Sequence, residues 1–312
     1  MKKYVVTGGA GFIGSAIVRA LLSEGAGRVT VIDNLVSGKE ENLEEIRPAV
    51  DFYNADIRCH DEIAPIVRGA DAVFHLAAIP SVPRSIKDPV PSHQVNLDGT
   101  FELLRACLAG GVRRVVYAAS SSAYGDTEVL PKSESMAPNP KSPYALQKLA
   151  GEYYARIFYY SYGMETVSLR YFNVYGPRQD PSSPYSGVLS LFITALLERR
   201  SPTIHGDGEQ SRDFTYVEDV AALSLKAAAA PNVAGNVYNA GNGNRYTLNQ
   251  VWAELQRIEG VEIPARYGPP REGDVLHSQA DTAAARRDLG HDPRFGLEEG
   301  LRRTLEWYRS RR

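Results

Sequence analysis

Tyr144 and Lys148 stand four residues apart in SPYALQK (142–148). On a helix that spacing sets a phenol and an ammonium one turn apart on the same face. A solvated polar pair uses this spacing, and so does a proton-transfer pair. Tyrosine needs help to act as a base, because its phenol titrates near pH 10; bringing that to neutral pH takes roughly 4 kcal/mol of differential stabilisation. A nearby ammonium favours the phenolate. Upstream, Ser120, Ser121 and Ser122 end an apolar run and offer hydroxyls to the same oxygen. Serines near turns are more often structural, so the partner lies among the three.

These groups need a scaffold, and the first half of the chain describes one. Short apolar runs read as strands at 4–8, 28–33, 51–56, 71–78 and 113–120, with helical patterns between them, notably 12–25 and 95–111. Continuous apolar strands separated by helices predict a parallel sheet covered on both faces, a doubly wound α/β fold of the Rossmann type. After 165–177 the rhythm changes to Pro-, Ser- and Gly-rich loops, a helix at 188–199 and a late strand at 236–241. The expected division is a nucleotide-binding domain over 1–170, with 236–241 returning to its sheet, and a smaller discontinuous lobe over 171–312.

TGGAGFIG (7–14) joins the first strand to the first helix. Gly8 permits the tight turn, Gly11 lets a pyrophosphate approach, and Gly14 lets helix and strand pack closely. The phosphates would meet the free amides of the helix N-terminus. Asp33 ends the second strand, where a carboxylate accepts from a ribose 2′-hydroxyl and repels a 2′-phosphate; this favours NAD over NADP. A cap on the following turn is the plainer role for it. Asp56 ends the third strand, as an adenine contact or a solvated loop charge. Asn96, in QVNLDG, is either a support for the cofactor site or a polar residue at a helix start.

A net charge of −2 over 312 residues gives no reason to expect nucleic acid or an anionic membrane as partner. The two cysteines, Cys59 and Cys107, form no CxxC, so neither a disulfide framework nor a cysteine-based zinc site is expected. The basic start MKK precedes an apolar run that glycines interrupt, unlike a signal peptide. A cytoplasmic enzyme is the expectation.

The G-x-x-G-x-x-G spacing, the serine cluster and Tyr144-x-x-x-Lys148 together resemble the extended short-chain dehydrogenase/reductase superfamily. YAASSSAYGD (117–126), RYFNVYGPRQDP (170–181), GDGEQSRDFTYVEDV (206–220) and REGDVLHSQAD (271–281) extend the resemblance over nearly the whole chain. It is nearest to the UDP-hexose 4-epimerases, in the branch acting on N-acetylated sugars, which AAIPSVPRSI (77–86) also resembles.

That resemblance implies an NAD site built from Gly8, Gly11, Phe12, Ile13 and Gly14, then Asp33 and Asn34, then Asp56 and Ile57. Leu76, Ala77 and Ala78 follow, with Asn96, Tyr144, Lys148 and Tyr171. Tyr144 would take the proton of the sugar 4-hydroxyl as C4 gives up hydride, and Lys148 would hold the nicotinamide ribose. Ser121 or Ser122 is favoured as the hydroxyl partner, with Ser120 on the substrate side. Asn173, Arg212 and Arg271 would hold the UDP diphosphate, Asp274 a ribose hydroxyl, and Ser81 and Arg84 the sugar side. Arginine suits this because its planar fork pairs with phosphate oxygens. Ser278, a small wall residue, would admit a 2-acetamido group, so UDP-N-acetylglucosamine and UDP-N-acetylgalactosamine are expected substrates. UDP-glucose and UDP-galactose would be equal or poorer ones. The resemblance also implies a homodimer formed by the helices around 96–108 and 144–160. Rival readings are a strict UDP-glucose/UDP-galactose epimerase, a UDP-glucuronate epimerase, a dehydratase and a non-catalytic NAD-binding scaffold. Dehydratases and decarboxylases carry a carboxylate where this chain has Ala123-Tyr124.

Overall fold

The computed structural model describes residues 2–180, 187–270 and 275–311. Six strands, β1 (Tyr4–Thr7), β2 (Val29–Ile32), β3 (Val50–Tyr53), β4 (Ala72–His75), β5 (Arg114–Ser120) and β6 (Glu165–Tyr171), pair in parallel with an edge strand, Val237–Ala240. The order across the sheet is Val237–Ala240, β6, β5, β4, β1, β2, β3. Val5, Val31, Ile32, Val73, Phe74, Val115 and Val167 are buried, which is why their runs read as unbroken apolar stretches. One face packs on helices Phe12–Ser23 and Val217–Ala229 through Ile17, Val18, Ala221 and Leu223. The other packs on helices His60–Val67 and Thr100–Ala109 through Ile63, Val67, Leu103 and Cys107. The fold is Rossmann-like, as the sequence predicts.

A separate core gathers Phe192, Ile193, Trp252, Leu255, Leu301 and Leu305. Among the described residues no helix is long and apolar enough to cross a membrane.

Strand order reverses between β1 and β4, and a crevice opens at the carboxyl ends of strands at such a point. Two close approaches shape it. A Cβ on Gly8 (φ +69°) would lie 2.6 Å from the Ala77 nitrogen, and one on Gly14 would lie 2.1 Å from the Gly8 oxygen. Neither position admits a side chain.

Helix Pro143–Tyr162 carries Tyr144 and Lys148. Ser142 caps it by accepting from the Ala145 amide, Pro143 fits its first turn, and Gly163 ends it in the left-handed conformation. It packs closely on β5 because Gly151 faces Tyr117; a Cβ there would lie 2.3 Å from the Tyr117 hydroxyl.

Some boundaries differ from the sequence reading. The stretch 95–111 opens with a π-helical turn, Gln94–Gly99, before the α-helix Thr100–Ala109 begins. β3 stops at Tyr53, so Asp56 stands in a turn whose Arg58 amide it accepts.

Candidate active site

A cavity of about 1530 Å³ runs along the crevice from the glycine loop to Arg212 and Ser278. Pockets for one small ligand hold roughly 300–1,000 Å³. This one has room for a dinucleotide and a second nucleotide end to end.

Tyr144 lies half-buried in its wall, its amide donating to Ser85 Oγ at 3.1 Å. Burial pushes the phenol upward, and a hydrogen bond with the Ser120 side chain draws it back. Ser120 is the last residue of β5, so the strand itself aims it at the crevice. The sequence reading favoured Ser121 or Ser122; the serine set against the phenol is Ser120. Ser122 supports it, donating from both Oγ (2.8 Å) and N (3.2 Å) to Ser120 Oγ. Ser121 also lines the cavity.

Lys148 is buried, donates to the Ala118 carbonyl at 2.8 Å and lies 5.1 Å from the Tyr117 ring centre. Burial pushes its ammonium down to about 8. The pull on the phenol in this structure comes from Ser120; the direct pull expected of Lys148 does not appear.

Behind the wall, Asn96 Oδ1 accepts from the Ile79 amide (2.7 Å), while Nδ2 donates to the Ile79 carbonyl (3.2 Å) and to Gln147 Oε1 (3.0 Å). Gln147 neighbours Lys148, so Asn96 ties the Tyr144 helix to the loop after β4. Asn96 is buried and does not line the cavity, which makes it a support.

Gly8, Gly11, Phe12, Ile13, Gly14, Asp33, Asn34, Ile57, Leu76, Ala77, Ala78 and Tyr171 all line the cavity. Asp33 does cap its turn, accepting from Leu35 N (2.9 Å), and it also accepts from Ala10 N (3.0 Å) in the glycine loop. It lines the cavity nonetheless, and each carboxylate oxygen keeps further acceptor capacity. Asp56 is different. Arg58 and Asn34 take up its carboxylate and hold it down at about 2, and it does not line the cavity, although Ala55, Ile57 and Arg58 do.

At the other end stand Ser81, Arg84, Asn173, Arg212 and Ser278. Ser81 caps helix Val82–Lys87 by accepting from the Arg84 amide. Arg271 and Asp274 lie outside the described residues. Sequence reasoning missed Ser85, which fixes the Tyr144 amide, and Lys132, a buried lysine in the wall. A lone lysine in LPKSE carries no spacing signal that would have found it.

The model of the NAD dependent epimerase/dehydratase family matches residues 4–241. The chain belongs to that family. A UDP-glucose 4-epimerase of Mycolicibacterium smegmatis is 39% identical over 98% of this chain and 98% of its own. Among solved structures, the UDP-N-acetylglucosamine 4-epimerase of Methanobrevibacter ruminantium, in complex with UDP-N-acetylmuramic acid, superposes with TM-score 0.95 at 40% identity, covering 100% of this chain and 99% of its own. The UDP-glucose 4-epimerase of Thermotoga maritima with UDP-glucose gives 0.93 at 39% identity, covering 99% of each chain.

NAD is the family's cofactor, and the residues present fit it. Where Gly8 and Gly14 exclude any Cβ, a Cβ on Gly11 would meet only the Gly8 oxygen, at 3.1 Å, so this glycine leaves the backbone open to a pyrophosphate. Asp33 follows β2 and lines the cavity with acceptor capacity left for a ribose hydroxyl. NADP should therefore bind at least about tenfold more weakly than NAD, since a 2′-phosphate would face a buried carboxylate. Titration of the purified protein with each cofactor measures this; equal affinities would take Asp33 out of the ribose site.

Proposed function

We propose that the protein interconverts the C4 epimers of UDP-hexoses through a 4-keto sugar. The observation that carries this reading is the meeting of Tyr144, Ser120 and Lys148 in one cavity with the glycine loop and Arg212. The activities of the related epimerases support it.

Tyr144 takes the 4-hydroxyl proton and returns it to the same oxygen after the ring has turned to present its opposite face. Ser120 hydrogen-bonds the phenol and keeps the reacting oxygen close, because Ser122 occupies the acceptor side of its hydroxyl. Bound NAD supplies a reversible hydride acceptor. Lys148, one helical turn from Tyr144 and fixed by the Ala118 carbonyl, holds the nicotinamide ribose. The phenol is raised by burial in this structure, so its activation depends on added positive charge. Arg212 and Asn173 grip the diphosphate, and this anchor lets the sugar ring turn while the nucleotide stays in place. Elimination chemistry lacks its carboxylate: Ala123 has no ionisable group, and the buried Tyr124 phenol is committed to Asn239 Oδ1 at 2.6 Å.

The turning ring needs room for its C2 substituent in two positions. Ser278 is small, lines the cavity and is pinned through its amide to the Ser211 carbonyl at 3.0 Å. This supports acceptance of 2-acetamido sugars alongside, or in preference to, plain hexoses. The Tyr144 helix also exposes Leu146, Tyr153, Ile157 and Tyr160 along one side, at 57%, 47%, 52% and 63%. A monomer leaves this stripe wet, and a second copy of the same helix would cover it. We infer a homodimer paired there.

Tyr144→Phe should keep NAD binding and lose kcat by about 10²–10⁴-fold, the range for removing a general base; a variant turning over at near-native rate would remove the phenol from the mechanism. Ser278→Tyr should lower kcat/KM for UDP-N-acetylglucosamine by about tenfold or more relative to UDP-glucose. A ratio that stays put means another residue gates the sugar. Sedimentation at micromolar concentration should give the mass of a dimer, and Ile157→Glu should shift it to monomer. A native protein that sediments as monomer overturns the pairing.

A further inference from the structure

We propose that Lys132 is a specificity-determining residue: in the wall of the cavity that Tyr144 and Arg212 also line, its ammonium receives a carboxylate carried by the sugar ring of a UDP-sugar. This rests on the UDP-hexose reading above and names a substrate class within it.

Lys132 is 1% exposed and lines the cavity. Its amide donates to the Gln279 carbonyl at 2.8 Å, and its carbonyl accepts from the Asp281 amide at 2.9 Å, so the backbone leaves it no freedom. Its Nζ donates to the Gly125 carbonyl at 2.8 Å, the one hydrogen bond its ammonium makes among the described residues. Gly125 ends the turn that Ser120 begins, and Gln279 follows Ser278. The ammonium is thereby tied to the loop of Ser120, and its backbone to the segment of Ser278.

Among the described residues no carboxylate lies within ion-pair distance of Lys132. Asp126 acts on it only through space, and Arg212 acts with the opposite sign. A buried cation without a counter-ion is costly, and proteins bury one by pairing it or by leaving the pairing to a ligand. A hydroxyl can be held by a neutral amide or by another hydroxyl. A carboxylate supplies the missing charge and takes the two remaining N–H donors. The diphosphate already has Arg212, which leaves an acidic group on the ring as the complement to Lys132.

Binding of UDP, UDP-glucose and UDP-glucuronate is measured by calorimetry on the NAD-loaded native protein and on Lys132→Met, with Lys132→Gln as a second variant should the first fail to fold. UDP affinity reports an intact nucleotide site in each. The expected result is a fall of about tenfold to a hundredfold in affinity for UDP-glucuronate relative to UDP-glucose, the range for losing a hydrogen bond to a charged group, with UDP affinity little changed. An equal fall for UDP alone would assign Lys132 to the diphosphate and overturn the proposal. An unchanged ratio would make it a structural tie to Gly125 and also overturn it. Failure of the native protein to bind UDP or any UDP-sugar would instead bring down the UDP-hexose reading itself.

Discussion

A single buried side-chain amide joins the parts on which the site depends. Asn96 satisfies both polar groups of Ile79 and reaches Gln147, so the loop after β4 and the helix of Tyr144 and Lys148 are held by one residue. The Asn96 carbonyl extends the chain of bonds. It accepts from Thr100 Oγ1 at 2.7 Å, and that oxygen lies 2.9 Å from His75 Nε2. Because the Thr100 proton is committed to Asn96, we assign the His75 proton to Nε2, leaving Nδ1 to accept from Thr7 Oγ1 at 2.8 Å. Thr7 in turn accepts from the Ala77 amide. Burial, with Lys148 nearby, holds His75 neutral and its titration down at about 3. A network satisfied at every member fixes one arrangement, because breaking any link leaves a buried group unpaired. The π turn that carries Asn96 is the local deformation that turns this amide toward Ile79.

What the sequence made legible follows from period and steric necessity. Unbroken apolar runs marked the strands because both faces of the sheet are covered. The glycine loop could be read because Gly8 and Gly14 exclude every side chain, a constraint that leaves no alternative residue. Roles decided by rotation or by a distant partner were not legible. Which of three adjacent serines meets the phenol depends on where β5 ends, one residue either way changing the answer. Asp56 carried the right charge at the end of a strand-like run, but Arg58 two residues later captures it. Asp33 was posed as binding or capping, and its geometry allows both at once. Lys132 gave no warning at all, since its environment joins the nearby Gly125 to Gln279 and Asp281, which come much later in the chain.

The electrostatics of the cavity are those of a receptor for anions. Lys148 and Lys132 are buried ammoniums bonded to backbone carbonyls rather than to carboxylates, and Arg212 stands with them in the wall. Carbonyl oxygens orient a cation without neutralising it, so the positive field remains available to whatever enters. Several acids nearby already have partners: Asp33 the amides of Leu35 and Ala10, Asp56 Arg58, and Glu152 the buried Arg170. A cavity with several cations in its wall, and with most nearby acids already hydrogen-bonded, suits a nucleotide diphosphate.

Gly151 has no side chain and touches neither cavity nor ligand, yet it fixes how close the helix of Tyr144 comes to β5. The Tyr117 hydroxyl fills the space a Cβ would need and lies 3.3 Å from the Lys148 carbonyl, so helix and strand meet at the turn that carries the ammonium. Any larger residue at 151 would lift that turn and with it the separation between Tyr144 and Ser120. In a population of variants screened for turnover, this atom-poor position would thus be purged as strictly as the phenol itself, and a survey of tolerated substitutions would score as functional a residue whose whole contribution is the absence of a methyl group.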